Sequence, residues 1–281
     1  MSPAVHSAEA LEMIRRAVHI ALEEDIGKGD VTASLFSNDK MAEATVVCRD
    51  DAVLCGQHWF SEALHQLNGD VKIDWDFGDG DLMEEGSTVC TVRGAARAIL
   101  SAERTALNFL QTLSATATCT RQYVERISGT PAQILDTRKT LPGMRYAQKY
   151  AVKCGGGVNH RMGLYDAILI KENHIATAGS IHKAVSMARQ KFPALPLEIE
   201  VENHQQLKQA LTSEADTILL DNFSLPELQA AVHLNGNTKK LEASGNINLD
   251  NIREVAKTGV HYISIGAITK NIQAVDFSVR F

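Results

Sequence analysis

The chain has 281 residues, 44% hydrophobic and 22% charged, which suits a globular protein with a sizeable core. A net charge of −6 excludes a global basic field for nucleic acid, so any cation cluster must be local and built. No apolar run approaches the roughly 20 residues that span a bilayer. The scattered cysteines (Cys48, Cys55, Cys90, Cys119, Cys154) hold no C-x-x-C pair, so a reduced, cytoplasmic protein without a zinc site is expected.

The stretch MSPAVHSAEALEMIRRAVHIALEEDIG mixes charges among its apolar positions and reads as an amphipathic helix, not a signal peptide. The helix is expected over residues 8–24, with Leu11, Ile14, Val18 and Leu22 on one face; GKGDVT ends it. Residues 43–55 and 71–77 suit strands, and GDGDLMEEGSTVCTVRG supplies a turn and another strand. A helix with several short strands predicts an α+β sandwich over residues 1–112. A long helix follows, from about Ala95 to Ile127. Within it Leu100, Leu107, Leu110 and Leu113 recur at helical spacing, and Arg104, Asn108 and Gln111 share a polar ridge. The ridge is either a solvated face or an element buried at a subunit interface or site, because unpaired buried polar groups are costly.

From residue 131 the texture changes. Short apolar runs recur, each ending in polar residues: ILDTRK, DAILIKENH, PLEIEVEN, DTILLDN, KKLEASGN and HYISIGAIT. Helix-like segments (SIHKAVSMARQKF, HQQLKQALTS, SLPELQAAVHL, NLDNIREVAKTG) separate several of them. This alternation predicts a parallel sheet, and repeats of roughly 20–30 residues favour a β/α barrel. An open doubly wound sheet is the competitor, but no G-x-G-x-x-G follows a first strand. The expected fold is therefore α/β: an N-terminal α+β sandwich domain plus a closed or nearly closed β/α barrel over residues 113–269.

Barrel sites lie at the carboxyl ends of the strands. There this chain places Arg138 and Lys139, Lys171 and Glu172, Glu200, Asp221, Ser244 and Gly245, and Gly266. Arg138, Lys139, Arg161 and Lys171 on one rim repel one another unless a polyanion binds between them; His160 and His174 lie nearby in the same motifs. Arginine suits bidentate capture of carboxylate or phosphate, and lysine acts as a compact charge. Lys171, after AILI, is either a Schiff-base nucleophile or a fixed charge for an anionic substrate.

LEIEVEN sets Glu198, Glu200 and Glu202 on one strand face, which should point into the barrel. Carboxylates there need cations, metal or partial protonation. Glu200 and Asp221 either hold a Mg2+ that carries a phosphate ligand, face positive charge developing on a sugar, or belong to a structural ion-pair network. CGGGVNHR is a flexible, donor-rich loop, and ASGNI and SIGAI each end a strand with a small residue and glycine. The last two are either phosphate cradles or plain turns. The residues alone thus point to a phosphorylated, multiply anionic substrate at a barrel mouth.

ALEEDIGKGDVT, ERTALNFLQTLSATAT, LDTRKTLPGMR, KYAVKCGGGVNHRMGLYDAILIKENHI, EIEVEN, LLDN, ASGNI and ISIGAIT together resemble the quinolinate phosphoribosyltransferase family, over nearly the whole chain. The resemblance implies a pentosyltransferase of NAD biosynthesis. It would join quinolinate to 5-phosphoribosyl pyrophosphate (PRPP) and give nicotinate mononucleotide, pyrophosphate and carbon dioxide. It further implies a homodimer of chains that each join the sandwich domain to an incomplete (TIM-like) β/α barrel, with the tail, about residues 270–281, returning to the sandwich, and with Arg104 reaching a quinolinate carboxylate across the interface. Arg138, His160, Arg161 and Lys171 would bind the dicarboxylate, and Lys139 would meet the pyrophosphate side of PRPP, with Thr137 beside it. Glu200 and Asp221 would hold the ribose hydroxyls and Mg2+. Ser244, Gly245, Asn246, Ile265, Gly266 and Ala267 would cradle the 5-phosphate. Lys139, Lys171, Glu200 and Asp221 are the implied catalytic groups. No nucleic acid or membrane partner is implied.

Overall fold

The structure, a computed structural model, describes residues 7–37 and 39–281. The first six positions of the N-terminal stretch, part of the reading against a signal peptide, lie outside the described residues. Helix α1 runs Ala8–Ile26. The Ser7 hydroxyl accepts the Ala10 N–H at 3.1 Å, and Gly27, at φ 53°, closes the helix on the Glu23 carbonyl. The buried stripe steps by four residues, Ala10, Ile14, Val18 and Leu22. Each large member contributes about 1.5–3 kcal/mol. Leu11, expected on that face, is 40% exposed, because Ala10 occupies the position one turn below Ile14.

After a 3-10 turn at Ala33–Leu35 come β1 (Met41–Cys48), β2 (Ala52–Val53), α2 (Gln57–Leu67), β3 (Lys72–Trp75), β4 (Leu82–Met83), β5 (Thr88–Ala95) and α3 (Ala96–Arg126). Residues 43–55 form two strands, not one, because the polar Arg49, Asp50 and Asp51 interrupt the run. Helix α2 carries a clear signal that the sequence reading left out: Trp59, Phe60, Ala63 and Leu64 bury one face.

The chain continues through β6 (Gln133–Leu135), α4 (Arg145–Cys154), β7 (Ile168–Ile170), α5 (Glu172–Ala178), α6 (Ile181–Lys191), β8 (Leu197–Val201) and α7 (His204–Leu211). It ends with β9 (Thr217–Asp221), α8 (Leu225–Asn235), β10 (Lys240–Ser244), α9 (Ile252–Lys257), β11 (Tyr262–Ser264), α10 (Ala267–Lys270) and β12 (Phe277–Arg280). No helix among the described residues is long and apolar enough to cross a membrane.

Two compact units form, and they interleave along the sequence. The first takes residues up to Arg121, Leu141–Gly156 and Asn271–Phe281. Its 4-stranded sheet has the order β12-β1-β5-β3, and β1 pairs antiparallel with both β5 and β12. Trp59, Leu107, Leu110 and Leu113 fill its core, and the Trp59 and Tyr150 rings meet at 5.4 Å. Leu100, expected with the α3 leucines, is only half-buried.

The second unit takes Gln122–Thr140 and Gly157–Lys270. Its 6-stranded sheet has the order β6-β11-β10-β9-β8-β7, and every pairing is parallel. The six apolar runs are these six strands, and β6 and β7 are the edge strands and do not pair with each other, so the barrel is not closed. Val158 covers the outer edge of β6, donating to the Ile134 carbonyl at 2.8 Å and bridging to Leu135. Side-chain oxygens of Ser180 and Asn203 cap α6 and α7, and Ser224 with Glu227 forms a capping box on α8.

Candidate active site

The strands of the second unit end on a common cavity of about 250 Å³. Thr137, Arg138, Lys139, His160, Arg161, Leu169, Lys171, Glu200, Leu219, Glu242, Ser244 and Ser264 line it. Period two explains part of this wall. In β8, Leu197, Ile199 and Val201 are buried, and Glu198 and Glu200 take the other face. Register pairs Glu200 with Leu219 and Leu219 with Glu242, which puts these side chains on one level of the sheet. Glu202, expected with them, lies beyond the strand end and is exposed, so it takes no part.

The cations are held by the loops that follow β6 and β7 and by the segment that leads from α4 into β7. Asp136, wholly buried, accepts the His160 backbone N–H at 2.9 Å and so ties the 157–160 segment to β6. The Thr137 hydroxyl accepts the Lys139 N–H at 3.0 Å, and Thr269 donates to the Lys139 carbonyl at 2.8 Å. Gly266 lets the Lys139 stem pass: a Cβ there would lie 2.9 Å from Lys139 Cδ. Asp166 accepts the Met162 and Gly163 N–H groups at 2.6 and 2.9 Å and closes the loop that carries Arg161. Burial lowers the Arg161 pKa, and the Arg138 charge lowers it further. Two guanidiniums thus crowd one wall.

Lys171 Nζ is ion-paired with Glu200 Oε2. That suits a fixed charge better than a free amine poised to form an imine. His174 is exposed and caps α5, its Nδ1 accepting the Lys171 N–H at 3.0 Å; it is a structural cap and not part of the cation ring.

A second layer lies under this ring. His160 Nδ1 accepts the Arg161 N–H at 2.8 Å, so Nε2 bears the proton and donates to Glu198 Oε2 at 2.7 Å. Glu242 Oε2 is 3.7 Å from the same nitrogen. Burial pushes the Glu198 carboxyl up to about 7, and burial plus the Glu198 charge pushes Glu242 up to about 8. One Oε1 on each has no hydrogen-bond partner. On the opposite side of this layer is another cavity, about 500 Å³, which shares His160, Arg161 and Glu242 with the first.

The remaining candidates sit at the rim or elsewhere. Asp221 ends β9, and its Oδ2 accepts the Asn222 amide at 2.8 Å. The ends of β10 and β11 are sheet neighbours, which brings Ser244, Gly245 and Asn246 beside Ile265, Gly266 and Ala267. Ile265 is buried, so it can offer a ligand only its backbone. Arg104 belongs to the first unit, exposed on α3 with Asn108. In CGGGVNHR, Gly155 is needed for packing: a Cβ there would lie 2.4 Å from the Ala117 carbonyl. The sequence reading missed Glu242, Asp136 and Asn222. Glu242 had a signal, a lone carboxylate inside the apolar run KLEAS.

The model of the "Quinolinate phosphoribosyl transferase, C-terminal domain" family matches residues 116–280, and that of the corresponding N-terminal domain matches residues 30–114. The chain is 40% identical to the nicotinate-nucleotide pyrophosphorylase (carboxylating) of Mycobacterium leprae, over 96% of each chain. The solved nicotinate-nucleotide pyrophosphorylase of Francisella tularensis is 46% identical, with TM-score 0.93 and 96% of each chain covered. That of Ehrlichia chaffeensis is 39% identical, with TM-score 0.90, covering 94% of this chain and 97% of the other.

Proposed function

The chain belongs to the quinolinate phosphoribosyltransferase family, and on that footing we propose that its cationic cavity joins quinolinate to PRPP. The products are nicotinate mononucleotide, pyrophosphate and carbon dioxide, a step of NAD biosynthesis. The observation that carries the reading is the convergence of Arg138, Lys139, Arg161 and Lys171 on one cavity of about 250 Å³.

Quinolinate bears two adjacent carboxylates, and two guanidiniums fix its plane better than one. Arg138, His160, Arg161 and Lys171 take the dicarboxylate in this reading, with Arg104 of a second copy completing the site in a homodimer. Lys139, braced by Thr137, meets the pyrophosphate side of PRPP. The ring nitrogen attacks C1 of the ribose as the bond to the pyrophosphate oxygen breaks, and pyrophosphate leaves with the electron pair. Glu200 and Asp221 face the positive charge that develops on the sugar. The carboxylate beside the new cationic nitrogen then leaves as carbon dioxide. Its bonding electrons stay on the ring carbon, which takes up a proton. Shielding that carboxylate from water favours the step.

Glu200 and Asp221 are hard oxygen donors, and each commits one oxygen to Lys171 or Asn222. They fit Mg2+, which takes one or two carboxylates together with substrate phosphates. When bound with PRPP, the ion neutralises the leaving pyrophosphate. Five unpaired thiols suit a reducing compartment, and the cytoplasm is the proposed location.

The test is a purified-protein assay with PRPP and either quinolinate or nicotinate. Pyrophosphate and carbon dioxide in equal amounts from quinolinate alone are expected. Turnover of nicotinate without carbon dioxide would move the protein to a sister reaction. Borohydride trapping of substrate on Lys171 would replace the proposal with an imine-forming lyase.

A further inference from the structure

The loops after β9 and β10 meet through one residue that no role above uses. Asn222 has φ 56°, a left-handed conformation unusual for any residue but glycine. Asparagine tolerates it better than most, yet the loop is built around this side chain as well as this backbone. Its backbone N–H donates to the Ser244 carbonyl at 2.8 Å. Its amide Nδ2 donates to Asp221 Oδ2 at 2.8 Å, and its Oδ1 accepts from Asn246 Nδ2 at 3.1 Å. The space it needs comes from Gly245, at φ 99°, where a Cβ would lie 2.1 Å from Asn222 Oδ1. Asn246 is itself left-handed, at φ 52°, and its carbonyl accepts from Asn251 Nδ2 at 3.0 Å.

One primary amide therefore connects the carboxylate at the end of β9 to the loop at the end of β10. In the proposed reaction these two places serve the two ends of one ligand fragment: Asp221 the ribose hydroxyls, and Ser244–Asn246 the 5-phosphate. We propose that Asn222 is a positioning residue that sets the distance between them and so gauges the length of the phosphoribosyl group. The inference rests on the function proposed above. It adds that recognition of the donor is a property of the pair of loops, not of either one. A ligand that spans both loops must feel the loss of Asn222, and a ligand that touches one loop must not.

The experiment is calorimetric titration of the wild type and Asn222→Gly with ribose 5-phosphate, inorganic phosphate and quinolinate. Glycine keeps the backbone conformation and removes the amide. The variant is expected to bind ribose 5-phosphate about tenfold more weakly. Its affinity for phosphate and quinolinate should stay within about twofold of wild type. In steady-state kinetics the KM for PRPP should rise while that for quinolinate holds. Asn222→Asp keeps the acceptor toward Asn246 but puts a carboxylate where the donor to Asp221 was; it should show the same pattern, and it is the variant to read if glycine prevents folding. Unchanged ribose 5-phosphate binding in both variants would overturn the inference, as would equal losses for all three ligands. A wild type that binds ribose 5-phosphate but does not turn over quinolinate would sink the reaction while leaving the gauge standing. A wild type that ignores ribose 5-phosphate would end both.

Discussion

His160 Nε2 lies 2.7 Å from Glu198 Oε2, while the other ring nitrogen of His160 is engaged by the Arg161 backbone N–H. The imidazole is therefore pinned at both ends. Arg161 follows it directly in the chain, so the same pin sets the starting point of a guanidinium that lines the cavity. The carboxylate layer beneath the site thus acts on the cation ring above it through one ring and one peptide.

The buried pair makes stability depend on pH in an unusual direction. Glu242 titrates near 4.5 when unfolded and at about 8 when folded. Between those values the folded protein holds a proton that the unfolded chain has lost. Stability from this group is complete below about pH 4.5 and is lost as pH rises toward 8. Glu242→Gln should flatten the fall in melting temperature between pH 6 and 8. At pH 8 it should melt about 2–4 °C higher than the parent for each kcal/mol recovered. A parallel pH profile in calorimetric scans of parent and variant would contradict this.

Arg138→Ala should weaken quinolinate more than PRPP. A charge-assisted contact is worth about 1.5–3 kcal/mol, which is roughly a 10–150-fold rise in the KM for quinolinate. Similar rises for both substrates would remove the separation of roles.

Glu200→Ala should reduce turnover more than affinity, by about 100-fold in kcat, if the carboxylate faces charge that exists only at the transition state. The variant also strips Lys171 of its ion-pair partner. Direct binding of quinolinate should therefore hold or tighten. A large loss of binding with kcat intact would show that Glu200 serves the ground state.

Gly155→Ala should destabilise the first unit by about 1–3 kcal/mol, the usual cost of overpacking, because the new methyl meets both the Ala117 carbonyl and Thr120 Cβ. Gly143→Ala meets nothing within 4 Å and pays only for its φ of 75°. Thermal unfolding of the two variants gives the comparison, and an equal or smaller loss for Gly155→Ala would refute it.

What was legible in the chain follows from the kind of signal each residue leaves. The strands of the second unit were plain, because each is an apolar run closed by polar residues. Position within a face was harder. Leu11 and Glu202 obey the right period but fall at the margin of an element, where a neighbour or the strand end decides exposure. Glu242 was passed over because one carboxylate in an apolar run makes no pattern, whereas Glu198 and Glu200 alternate. Asn222 stands in LLDN, but its role was not legible there, since a left-handed backbone and a hydrogen bond between loops exist only once the sheet has brought β9 and β10 together.

The pairing of β12 with β1 has a consequence for how the molecule is born. The Asp276 N–H reaches the Asp50 carboxylate across 226 residues of sequence. An emerging polypeptide therefore exposes one flank of β1 until residues 277–280 have been made. The sheet of the first unit is complete only once β12 arrives, and until then the vacant margin of β1 is where a chaperone or a stray strand would find purchase.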